Sequence, residues 1–121
     1  MKIKKTERGW AGHYCCAFDC TFRRNTLLEY GETRIVVSTV GAKLYKDAYE
    51  VIGDKRWYET MVFHAKLISK IYWDADVSKQ ITFTSPWEIH TLSIESDMLA
   101  NNMHEAVIEE ISKKLLKGEI Q

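Results

Sequence analysis

Four consecutive residues, Arg23, Arg24, Asn25 and Thr26, carry the densest chemistry in this chain. Arginine offers a planar fork that matches phosphate oxygens, and Asn and Thr add short hydrogen bonds. Arg56 can assist them. Phe83 and Trp87 flank Pro86 and offer aromatic faces on which a base can stack. Asn101 and Asn102 fall near the start of a C-terminal helix, where free backbone N–H groups favour anions and where asparagine is a poor helix former. Together these residues suit the holding of a nucleotide rather than its alteration.

Other constellations weigh less. Cys15, Cys16 and Cys20 crowd into six residues with His13 and Asp19 nearby. Cys16 and Cys20 share a face with Phe18, Cys15 points away, and no second Cys or His pair completes a tetrahedral zinc set. They read as core thiols. A Cys–His nucleophile built on His13, His64, His90 or His104 lacks any local signature. Asp74 and Asp76 lie at i, i+2 and share a strand face, suiting either a divalent cation or a solvated edge. Glycine-rich phosphate loops, a GxSxG elbow and HExxH are absent. No cofactor is implied.

The elements that must position these residues follow from periodicity. Tyr14, Cys16, Phe18, Cys20 and Phe22 alternate with smaller and polar residues, so a strand runs from His13 with one apolar face. That face continues into Arg24, Thr26 and Leu28. A guanidinium there must be paired, lie at the edge of the core or meet an anionic ligand. Tyr30-Gly31-Glu32 makes a turn into a return strand, Thr33 to Val40, rich in β-branched residues. Residues 42–54 are expected as continuing strand, then loop. Lys55 to Ala65 forms a strand with both faces covered, residues 66–79 a loop and strand, and Gln80 to Thr84 a short strand stopped by Pro86. Trp87 to Ile94 is expected as an edge strand. The last helix is capped by Ser96 or Asp97, buries a stripe of Leu99, Met103, Val107, Ile111 and Leu115 widened by Ala100, Ala106 and Ile108, and ends at Gly118. The expected fold is therefore α+β: an antiparallel sheet with a long C-terminal amphipathic helix packed on it, in a single domain over residues 1–121.

Composition bounds the partners. The 17 basic and 17 acidic side chains give a formal net charge of zero, which argues against coating duplex nucleic acid. No window suits a membrane span and no apolar run suits a signal peptide, so a cytoplasmic protein with reduced thiols is expected.

The blocks RGWAGHYCCAFDCTFRRNTLLEYGETRIVVSTVG, WYETMVFHA, YWDADVSKQITF and ANNMHEAVIEEI resemble the first family of phage anti-Thoeris proteins. The resemblance covers most of the chain. It implies a non-enzymatic sponge in the cytoplasm of an infected bacterium. Such a protein binds the cyclic ADP-ribose isomer made by TIR enzymes and hides it from the defence effector. It also implies a homo-oligomer, at least a dimer, with nucleotide pockets where protomers meet, and cyclic oligonucleotides as a further ligand class. Two rivals come from other classes: a protein–protein inhibitor of a host enzyme, and a small metal-dependent nucleotide hydrolase using Asp74, Asp76 and His64.

Overall fold

A computed structural model describes residues 2–8, 13, 19–81 and 87–120. Among the described residues seven strands form one antiparallel sheet and a single long helix packs across it, the α+β arrangement expected. The strands are β1 (Lys4–Glu7), β2 (Cys20–Tyr30), β3 (Thr33–Tyr45), β4 (Ala48–Glu50), β5 (Tyr58–Leu67), β6 (Trp73–Ile81) and β7 (Trp87–Ile89); the helix α1 is Ser96–Leu116. Their order is β1-β2-β3-β5-β6, with β4 on the far end of β3 and β7 on the near end of β5.

The β2–β3 hairpin is the axis of the sheet. It turns on Gly31-Glu32, and Gly31 takes a φ of 61°, which costs a glycine nothing. Residues 42–45 extend β3. Lys46 and Asp47, both at positive φ, then reverse the chain into β4, so this stretch is strand, not helix. Alternation sends Phe22, Arg24, Thr26 and Leu28 of β2 toward the helix, together with their register partners on β3 and β5. Leu28, Ile35, Val37 and Val62 meet Val107, Ile108, Ile111 and Leu115 of α1 in the main core. At ~1.5–3 kcal/mol per fully buried aliphatic side chain, this contact holds the helix in place. The other face is covered too. Glu59 and Phe63 are buried beside Tyr58, Thr60 and Val62 on one strand.

Four sequence expectations require correction. The strand expected over Trp87 to Ile94 ends at Ile89, because Ser93 and Ser96 bond one another across the approach to the helix. The loop and strand expected over 66–79 are present, but the strand runs on through 73–81, so Gln80 starts no separate strand; Phe83 and Pro86 lie outside the described residues. The helical stripe is also rotated in its first half. Ser96, Ala100 and His104 face the sheet, Leu99 is exposed and Met103 is only partly buried. Small residues at 96 and 100 let the helix start close to the sheet, and this brings His104 inside. Neither Ser96 nor Asp97 caps the helix by a side-chain bond. At the other end Gly118 takes a φ of 73°. Its N–H bonds to Leu115 and that of Glu119 to Lys114, the paired pattern of a Schellman stop.

Candidate functional site

Arg24 is paired. Its Nε and Nη2 grip the Glu7 carboxylate at 3.1 and 3.0 Å, and Nη1 donates to Asn101 Oδ1 at 3.0 Å and lies 2.6 Å from Glu105. The cluster joins β1, β2 and α1 at the edge of the core. Burial works against the guanidinium charge, but Glu7 and Glu105 outweigh it and hold the proton on. Glu7 is likewise partly desolvated, yet Arg24 and Thr26 keep its carboxyl below the usual range.

Behind Arg24 lies a polar chain that the sequence reading did not assemble. Thr26 donates its hydroxyl to Glu7 at 2.8 Å, so its oxygen must accept from His104 Nε2–H, also at 2.8 Å. That leaves His104 Nδ1 as an acceptor for Thr39 at 2.7 Å, and Thr39 in turn accepts from Thr60 at 2.5 Å. Only one set of donor directions satisfies every atom: Thr60 to Thr39 to His104 to Thr26 to Glu7. His104 is fully buried. Burial, aided by Arg24 and opposed by Glu7 and Glu105, pushes its imidazole down to about 4, so it is neutral at pH 7.

Of the other expected residues, Thr26 and Asn101 join this cluster and the rest lie apart from it. Arg23 points to the opposite sheet face by alternation, opposite Val40 on β3. Asn25 is buried on that face and accepts from Arg8 Nε at 2.9 Å. Arg56 lies 3.3 Å from Glu88 and 3.6 Å from Glu59. Trp87 is half-buried against the main core, and Phe83 lies outside the described residues. Asn101 and Asn102 are exposed in the second turn of α1, past the free N–H groups of its start; Asn101 serves Arg24 instead.

His13 forms a second buried polar group over the far face. Its Nδ1 lies 2.9 Å from Ser38 Oγ and its Nε2 3.1 Å from Glu59 Oε1. Glu59 is desolvated, but His13 and Arg56 hold its carboxyl below the usual range. The order serine, histidine, carboxylate matches a nucleophilic triad. Ser38 is wholly buried, however, so no substrate carbonyl reaches it, and the trio locks residue 13 onto the sheet. Cys20 packs with Val40 and Ile52 as a core thiol; Cys15 and Cys16 lie outside the described residues. Asp74 Oδ1 accepts from Arg8 at 3.0 Å and from its neighbour's N–H, and Asp76 Oδ1 accepts from Ser78. Among the described residues no group of three or more His, Cys, Asp and Glu is placed to hold a metal ion. None of their helices is long and apolar enough to cross a membrane.

The cavity that suits a nucleotide lies beyond Arg24, toward the β4 end of the sheet. It encloses about 480 Å³ and is lined by Thr21, Tyr49, Tyr58, Asp97 and the 92–94 loop. Small-molecule sites commonly fall in the range of roughly 300–1,000 Å³. Tyr58 donates its hydroxyl to Asp97 Oδ1 at 2.8 Å. Burial and the Asp97 charge raise the phenol well above its usual value, so it stays a donor. Thr21 is three residues from Arg24 along β2, and Tyr58 two from Arg56. Gly41 lies between them on β3, and a Cβ there would overlap the Trp57 carbonyl oxygen and Tyr58 Cα. Neither tyrosine was a sequence candidate; only the paired strands bring them together.

No family model, curated protein or solved structure matches this chain.

Proposed function

We propose that this chain is a phage anti-defence protein that binds a cyclic ADP-ribose isomer made by TIR enzymes and holds it unchanged, so blocking Thoeris signalling. The observation that carries this reading is the cavity of about 480 Å³ walled by Tyr49, Tyr58, Asp97, Ser93 and Thr21. Tyr49 is more than half exposed and offers a ring to adenine. Asp97 uses one oxygen for Tyr58 and has a second for a ribose hydroxyl. Neither Arg24 nor Arg56 lines this cavity; in this reading Arg24, three residues from Thr21 along β2, supplies charge for the pyrophosphate. Glu105, the more exposed carboxylate on Arg24, is the partner that yields to a phosphate.

The cavity also has a rim that invites a second copy. Tyr49, Leu92 and Ile94 line it, and all three are exposed, Ile94 wholly so; Leu44, Tyr45 and Val51 extend the apolar area. A homo-oligomer formed over this rim encloses the ligand between protomers, excludes water and slows release. The sequence resemblance to anti-Thoeris proteins supports the same conclusion. Calorimetric titration with cyclic ADP-ribose isomers tests it, run on the unaltered protein and on Tyr49→Ala and Asp97→Asn. Tight binding that both substitutions weaken is expected. Binding that neither changes removes this cavity from the account.

A further inference from the structure

A second cavity, about 310 Å³, opens at the opposite end of the sheet from Tyr49 and is lined by Glu32, Thr33, Arg34, His64, Ala65, Trp73 and Lys79. It arises from a break in the β5–β6 ladder. Phe63 pairs with Gln80 and Ala65 with Ala75, so four residues of β6, 76–79, stand opposite His64 alone. Such an excursion re-aims side chains, and here it carries Lys79 to the cavity wall. Arg34 lies against the Trp73 ring, its guanidinium carbon 4.6 Å from the ring centre. One Arg34 nitrogen, Nη1, donates to the Glu32 carbonyl. Its Nε is buried 3.2 Å from Glu29 Oε2, yet makes no hydrogen bond among the described residues.

We propose that this cavity binds a phosphate monoester. Arg34, Lys79 and His64 bring three nitrogen donor groups to one small space, with the Glu32 carboxylate on its wall and Glu29 behind Arg34. A phosphate monoester is a dianion with three oxygens on one centre, and it matches three donors where a carboxylate offers only two acceptor atoms. Glu29 holds Arg34 Nε at 3.2 Å, which leaves the terminal Nη2 of Arg34 for a phosphate oxygen. The volume admits the phosphate and a sugar-sized group beside the Trp73 edge. This site shares no lining residue with the cavity at Tyr58 and Asp97, so the two ligands bind independently.

The test is a titration of ¹⁵N-labelled full-length protein with adenosine monophosphate, followed at the Trp73 indole N–H, with adenosine and inorganic phosphate as parallel arms. Adenosine monophosphate should shift that resonance saturably and adenosine should not. Inorganic phosphate should shift it at higher concentration. Lys79 is exposed, so Lys79→Glu leaves the fold intact and should weaken adenosine monophosphate by about tenfold or more. An unmoved Trp73 resonance, equal responses to adenosine and its monophosphate, or unchanged affinity in Lys79→Glu would each overturn the proposal. So would displacement of adenosine monophosphate by a cyclic ADP-ribose isomer, which would place both at one site.

Discussion

Acidification should unfold this protein through His104 before its carboxylates are fully protonated. In the folded chain both ring nitrogens are committed, Nε2 as donor to Thr26 and Nδ1 as acceptor from Thr39. Protonation turns Nδ1 into a donor facing a hydroxyl that was itself donating, and it places a charge in a fully buried position near Arg24. The folded imidazole titrates at about 4, against 6.5 for the ordinary side chain. Above pH 6.5 both states are neutral and the group adds no pH dependence. As the pH falls from 6.5 toward 4 the unfolded chain takes up a proton that the folded chain refuses, so stability drops. Integrated over that window the loss is about 3 kcal/mol. Glu7 and Glu59, whose carboxyls are held low, add to the loss only below their ordinary range near 4.5. Urea unfolding at pH 7, 6, 5 and 4.5 measures this directly. His104→Gln keeps one donor and one acceptor but does not titrate, so its stability should stay nearly flat from pH 7 to 5 while the unaltered protein weakens. Parallel pH profiles for the two proteins would refute the assignment.

Other substitutions probe the remaining parts. Gly41→Ala should cost about 3 kcal/mol or more in urea unfolding, because its φ of 155° and the carbonyl of Trp57 leave no room for a Cβ. Arg24→Ala should reduce cyclic ADP-ribose affinity by about 2–4 kcal/mol in calorimetry, yet lower stability by only about 1 kcal/mol, since its carboxylate partners are solvent-accessible. Tyr49→Ala should weaken the same ligand by about 1–3 kcal/mol of lost stacking while leaving the melting temperature of the free protein unchanged, because Tyr49 is exposed.

The strands were legible wherever alternation was regular. Phe22, Arg24, Thr26 and Leu28 share one face as their spacing requires, and Gly31 marks the turn. The helix was legible in extent but not in rotation. Leu99 and Met103 outweighed Ser96 and His104 in hydrophobicity, while the structure favours small residues where helix and sheet meet closely. The dilemma posed by Arg24 was visible in one dimension. Its resolution was not, because Glu7, Asn101 and Glu105 come from elements distant in sequence. The same holds for Tyr49, Tyr58 and Asp97, which come from two strands and the helix start. Nothing local to His104 announces its threonines, since Thr26, Thr39 and Thr60 converge only through the register of three strands.

The most direct test of the proposed function is recovery of the ligand. The purified protein is loaded with a cyclic ADP-ribose isomer, washed, heat-denatured, and the released small molecule is analysed by chromatography. Near-stoichiometric recovery of the intact cyclic nucleotide is expected. Recovery of a linear or cleaved product would mean an enzyme and shift attention to Asp74, Asp76 and His64. Recovery of nothing would contradict nucleotide sequestration altogether.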